Sequence, residues 1–282
     1  MMGPNPTKYV KIDPMTSSAT DQDGSTNRGS SNSGGAVGRS FSILRVLRRS
    51  SAPLPLTAIS DEIGIAPSSA HSVLMQLLAQ NAVVQDGDKR YRLGPAMFYI
   101  GSAYARGSSL YRAAWSELIT SANELGVTAA LAVPWENHHL IISSHRAGDS
   151  DVSVPFGGRV PIDGGSWGKV HFAWSGDPLP AKLTSYTSAS IVDRKAYAEE
   201  IETTRRNGYA VELGEFADDI GGVSAPVTSS AGYEGLGAYL APLSRIEELT
   251  LPVIGRRIAG LTARSSLALG DSERVRFFGS EA

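Results

Sequence analysis

Gly164-Gly165-Ser166-Trp167-Gly168 fits G-x-S-x-G, the strained turn that presents a nucleophilic serine in α/β-hydrolases. In that chemistry an acid and then a histidine follow the serine, to orient and deprotonate it. Here the one histidine after Ser166 is His171, five residues along the same expected helix. Residues 159–163 are interrupted by Pro161 and make a poor central strand. A serine hydrolase acting through Ser166 is therefore disfavoured, and no enzymatic activity is expected. His138, His139 and His145 lie close in sequence, but adjacent strand residues point to opposite faces. With no cysteine and no His-Glu spacing of a zinc helix, no metal site is expected. Gly168-Lys169 lacks the upstream glycine and the downstream hydroxyl of a phosphate loop, so neither nucleotide hydrolysis nor any other cofactor is indicated.

A different chemistry is available to Ser68, Ser69, His71 and Ser72, which follow Pro67: hydrogen bonding to base edges. Arg39, Arg45, Lys89 and Arg90 could hold phosphates. These side chains work together only if short helices and a hairpin position them. From Arg39 to Arg49, Phe41, Ile43, Leu44, Val46 and Leu47 recur at near-helical spacing, with Ser40 available as a cap. Pro53 and Pro55 impose an extended connector. Residues 57–64 read as a short helix with Thr57 as N-cap, Ser60, Asp61 and Glu62 exposed, and Gly64 at its stop. Pro67 suits the first turn of a second helix whose buried face is Ala70, Val73, Leu74, Leu77 and Leu78. The pair predicts a helix-turn-helix. Segments 82–85 and 90–93 alternate and are joined by Asp86-Gly87-Asp88-Lys89, a hairpin signal that makes a wing. Residues 36–93 carry seven Arg and Lys against four acids, a net +3, whereas 94–282 carry a net −5. A basic module that meets a polyanion is joined to an acidic one that does not.

Residues 1–35 are poor in apolar periodicity and read as a disordered tail; 36–94 form the winged helix-turn-helix, 95–125 a helical linker able to pair with its symmetry mate, and 126–282 a further domain. In that last part, strands are expected at 127–133, 140–144, 151–154, 209–213, 222–227 and 236–240. Helices are expected at 166–174, 194–206 and 246–263. Several intervening turns are too short for a crossover, so part of the sheet must be antiparallel and the domain is mixed α+β. No apolar run reaches the roughly 18 residues of a membrane span, and the start lacks signal-peptide character, so a cytoplasmic location is expected.

Several strings taken together resemble the IclR family of transcription regulators: Gly64-Ile65-Ala66-Pro67-Ser68-Ser69-Ala70-His71, Arg90-Tyr91-Arg92-Leu93-Gly94-Pro95, Gly158-Arg159-Val160-Pro161-Ile162, Gly168-Lys169, and Arg206-Asn207-Gly208-Tyr209-Ala210-Val211 with Ala225-Pro226-Val227. The resemblance runs from about Val37 to the end. It implies a winged-helix DNA reader, a linker helix and a GAF-like effector domain, assembled as a homodimer or homotetramer and sensing a small organic or aromatic acid. It points to Val152, Val154, Ser166, Trp167, Glu212, Ile220, Gly222, Ala238 and Leu240 as effector-binding positions. Relatives often carry basic residues where this chain has Ser68 and Ser72, and small or hydroxyl-bearing residues where it has Trp167, Ala238 and Leu240. Trp167 either shapes a more apolar pocket or is a core aromatic with no ligand role. The implied function is that of a DNA-binding regulator, a repressor, under effector control. The alternative is a ligand-binding or protein-interaction module with weakened DNA binding.

Overall fold

The computed structural model describes Lys8–Tyr9, residues 35–148 and residues 150–273, and in these the chain forms two compact units that divide between Gly107 and Ser108. Lys8–Tyr9 (β1) runs parallel to Val152–Ser153 and belongs to the second unit. The rest of the expected N-terminal tail, apart from Gly35, lies outside the described residues.

The first unit is the expected winged helix-turn-helix. Its elements are α1 (Ala36–Arg49), β2 (Leu54–Pro55), α2 (Leu56–Ile63), α3 (Pro67–Ala79), β3 (Val83–Gln85), β4 (Arg90–Leu93) and α4 (Pro95–Gly107). Ile43 and Leu47 of α1, Ile59 of α2, and Val73, Leu74 and Leu77 of α3 share one core with Tyr91 of the wing. Gly64 takes the left-handed conformation (φ 67°), and its N–H donates to the Asp61 carbonyl, ending α2 so that α3 can start afresh at Pro67. The Pro53–Pro55 connector contributes a third strand to the wing, in the order β2-β4-β3. Pro55 is tolerated there because β2 is an edge. Three local expectations need correction. Ser40 is inside α1 and donates to the Ala36 carbonyl instead of capping the helix. Thr57 is likewise inside its helix, where Pro55 holds the N-cap position of α2. Ser60 is buried, since its hydroxyl is satisfied by the Thr57 carbonyl within the same helix.

The second unit is a six-stranded antiparallel sheet between two helical layers. Its strands are β5 (Thr128–Trp135), β6 (His138–Arg146), β8 (Arg159–Pro161), β9 (Ala210–Leu213), β10 (Ile220–Ser229) and β11 (Gly232–Pro242), in the order β8-β6-β5-β11-β10-β9, with β7 (Val152–Ser153) alongside β1. Helix α5 (Ser109–Leu125) and helix α9 (Leu251–Ala268) cover one face; α6 (Gly165–Trp174) and α7 (Arg194–Asn207) lie on the other. The expected last helix is in fact two: α8 (Leu243–Glu248) ends at extended Leu249, and Pro252 sits in the first turn of α9. Successive strand residues alternate between the layers. Ala129, Leu131, Val223, Ala225, Val227, Tyr239 and Ala241 pack with α5 and α9, whereas Ala130, Ala132, Ala210, Ile220, Ala238 and Leu240 pack with Trp167 and Val170 of α6. No helix among the described residues is long and apolar enough to cross a membrane.

Candidate nucleic-acid interface and effector site

Helix α3 is amphipathic across its own axis. Ala70, Val73, Leu74 and Leu77 are buried, while Ser68, His71 and Ser72 are exposed and Ser69 is half-buried at the rim. Its 13 residues make a rod of about 20 Å, a size that enters a major groove. At the wing tip the Asp86 carboxylate accepts the N–H groups of Asp88 and Arg90, tightening the turn, and Lys89 adopts positive φ (59°). Lys89 and Arg90 are both exposed. Arg90 also reaches back to the Pro53 carbonyl at 3.5 Å, so the wing cation is partly steered by the connector. Arg45 is exposed on α1 and Arg39 is half-buried.

In the second unit the register brings the candidate effector residues onto one face. Glu212, Gly222 and Leu240 form one cross-strand row; Ala210, Ser224, Ala238 and Ala130 form the next. Ser166 and Trp167 descend on these rows from the start of α6, and Val152 and Val154 close the same cluster. All nine candidate positions are buried. The Ser166 hydroxyl pairs with that of Ser224 at 2.8 Å. Gly165 has φ 50°, and any side chain there would overlap the Glu212 carboxylate, so only glycine lets that carboxylate approach the first turn of α6.

Electrostatics on this face are unusual for a core. Glu212 accepts the Phe216 N–H at 3.1 Å, and its carboxyl is pushed up to about 7 by desolvation and by neighbouring Glu215, against the pull of Lys169 and the Phe216 amide. Lys169 is buried, and its ammonium donates to Glu215 (2.7 Å), the Val211 carbonyl (2.8 Å) and Glu200 (3.2 Å). Burial pushes the Glu215 carboxyl up while Lys169 opposes it. His139 is held down at about 3, by desolvation first and then by His171 and His138. His171 is lowered by burial, against its 2.8 Å contact with Asp177.

Residues 36–87 match the IclR helix-turn-helix domain model, and residues 103–234 match the model of the bacterial transcriptional regulator IclR C-terminal domain. The chain belongs to the IclR family. The HTH-type transcriptional regulator BhcR of Paracoccus denitrificans is 28% identical over 87% of this chain and 91% of its own length. Among solved structures, an IclR transcriptional regulator from Alicyclobacillus acidocaldarius superposes with a TM-score of 0.74 at 27% identity, covering 83% of this chain and 98% of that one. An IclR homolog from Microbacterium hydrocarbonoxydans complexed with 4-hydroxybenzoate shares the fold, with a TM-score of 0.70 at 18% identity over 83% and 98%.

As an IclR-family member the chain is a transcriptional regulator with a DNA-binding helix-turn-helix and an effector-binding C-terminal domain, and it is not an enzyme. The hydrolase-like string is a helix start: Ser166 is fully buried against Ser224, and His171 turns its Nε2 to Asp177. Sequence reasoning missed Ser224, Lys169 and His139 as members of this face. Ser224 was within reach, since it stands two residues beyond Gly222 on the same strand face. The role of Lys169 depends on Glu200, Val211 and Glu215, which are 31, 42 and 46 residues away.

Proposed function

We propose that this IclR-family chain is a repressor that occupies double-stranded operator DNA in the cytoplasm and is released by a small organic acid, aromatic acids included. The observation that carries the DNA reading is the exposed N-terminal half of α3, with Ser68, His71 and Ser72 in solvent and Ser69 at the rim, above a fully packed apolar side. These four read base edges; Arg39, Arg45, Lys89 and Arg90 hold phosphates and set register. Supporting a homodimer, or a dimer of dimers, are large apolar side chains of the first unit left in solvent. Val37 and Phe41 are exposed on α1; α4, which has no buried residue, exposes Phe98 (77%), Tyr99 (75%), Ile100 and Tyr104. Two copies would read half-sites about one helical turn apart, or a multiple of that.

The effector reading rests on Ser166, Trp167, Glu212, Ile220, Gly222, Ala238, Leu240, Val152 and Val154 sharing one face at the start of α6, where backbone N–H groups favour an acid. Because Glu212 already brings a carboxyl there, the acid binds with Glu212 protonated. The 4-hydroxybenzoate bound by the Microbacterium homolog is an acid of the proposed class.

A gel shift against the promoter upstream of the chain's own gene, at two salt concentrations, tests the DNA reading. The Ser69→Ala, His71→Ala double variant should lose about 10- to 100-fold in specific affinity while nonspecific binding stays within about 2-fold. An unchanged footprint would sink the assignment of α3. Binding no tighter to the promoter than to random duplex would favour the interaction-module reading.

A further inference from the structure

One side chain on the α6 face is left unexplained by packing. His139 of β6 is fully buried, and neither ring nitrogen has a hydrogen-bond partner of acceptable geometry. Its ring meets Trp167 edge-on at 5.9 Å between centroids and His171 at 5.4 Å, and its strand partner is Val160. A neutral imidazole has one donor and one acceptor; the Pro161 backbone approaches only one of them, and in poor geometry, so at least one is left unmet inside the protein, a penalty that phenylalanine or leucine in the same place would avoid. Charge does not offset it, since burial, then His171 and His138, disfavour the imidazolium, and only the Pro161 backbone hydrogen bond favours it. Nor does a metal, because no group of three or more potential ligands comes together among the described residues. The partner must come from outside the fold, and the wall His139 shares with Trp167 is the wall of the candidate effector site.

We propose that His139 anchors a hydroxyl group at the inner end of the effector, which makes the ligand a hydroxylated aromatic acid. This rests on the reading of the α6 face as the effector site. A hydroxyl suits either ring nitrogen, donating to the bare one or accepting from the protonated one, whichever tautomer is present. Trp167, in edge contact with His139, supplies an apolar plane for the ring between hydroxyl and carboxylate. The His139–Trp167 contact closes this space, and the effector enters by parting it.

The test is calorimetric titration of the full chain with two matched pairs of probes, 4-hydroxybenzoate against benzoate and 4-hydroxyphenylacetate against phenylacetate. The wild type should prefer the hydroxylated member of at least one pair by 10-fold or more. His139→Phe should reduce that preference to 2-fold or less while still binding the deoxy acid, and should raise the melting temperature of the ligand-free protein by several degrees. His139→Leu, which also removes both ring nitrogens but with less bulk, should do the same and serves as the second variant if the phenylalanine overpacks, whereas His139→Gln, which keeps a donor and an acceptor, should retain most of the preference. Equal binding within both pairs by the wild type, or an undiminished preference in His139→Phe or His139→Leu, would overturn the anchor and leave the acid-sensor reading standing. Failure of all four acids to bind the wild type would overturn both.

Discussion

The two faces of the six-stranded sheet are built from the same strands, yet they are used differently. Toward α5 and α9 the strands present mostly hydrocarbon, Leu131, Val223 and Val227 among it with no more than 2% of their surface exposed, and the hydroxyls that α9 buries there, Thr262, Ser265 and Ser266, donate to carbonyls of their own helix. Toward α6 the same strands present Glu212, Gly222, Ser224 and His139, and the covering helix adds Ser166 and Lys169. Burying polar groups destabilises unless each finds a partner, so the second face gives up stability that the first supplies. The contrast teaches where to look for recognition in a fold of this kind: on the side where small residues and polar groups are buried together, even when that side is closed.

The comparison breaks most visibly on the apolar side. Leu131→Ala, in a fully buried site under α5, should lower stability by about 3 kcal/mol in urea denaturation, with effector affinity unchanged for the folded fraction. A loss below about 1 kcal/mol would mean that this face is not the stabilising one. The polar side responds in the other sense, through function. Gly165→Ala places a methyl group where the Glu212 carboxylate lies and forces alanine into positive φ. It should cost about 2 kcal/mol and abolish acid binding in the same calorimetric assay. Retained binding would show that the approach of Glu212 to α6 has no part in the site.

Glu212 sharpens the contrast through pH. Its carboxyl holds a proton up to about pH 7 in the folded chain, against about 4.5 for an ordinary glutamate. Between those values the unfolded state releases the proton and the native state keeps it, so the contribution of this group to stability falls as pH rises from about 4.5 to about 7 and then levels off. Glu212→Gln removes that slope. The variant should match the wild type near pH 4.5 and exceed it by about 2 to 3 kcal/mol at pH 8, the order set by moving the carboxyl from 4.5 to about 7, a displacement from which the opposing pull of Lys169 and the Phe216 amide is already subtracted. Glu215 titrates in the same direction, so the quantity to read is the wild-type minus variant difference. A difference independent of pH would show that Glu212 is ionised throughout.

What was legible beforehand divides along the same line. The buried stripe of α3 and the Asp86-Gly87 wing were readable because periodicity and turn chemistry are local. The positions of the candidate effector face came with the family resemblance, and strand alternation then explains why Glu212, Gly222 and Ser224 look the same way. Beyond local rules, polarity misled. Ser60 reads as exposed yet is buried, because a hydroxyl can satisfy itself on its own helix. His138-His139 reads only as a pair that cannot share a metal. That one of them is stranded beside Trp167 follows from edge strand β8 and helix α6 closing over it, contacts no short window of sequence contains.

The smallest effect offers the cleanest test of how the polar face is held together. Ser166 and Ser224 share one hydroxyl–hydroxyl bond at 2.8 Å, with both residues fully buried. Removing either hydroxyl leaves the other without that bond, so Ser166→Ala and Ser224→Ala should each cost about 1 kcal/mol. Removing both deletes donor and acceptor together, and the double variant should be no less stable than either single, a coupling of about 1 kcal/mol in a double-mutant cycle. On the α5 face a corresponding pair of truncations, Leu131→Ala with Val227→Ala, can only add to the space left empty, and its losses should accumulate. If the serine losses also accumulate, each hydroxyl has a separate partner and the two faces differ in composition alone.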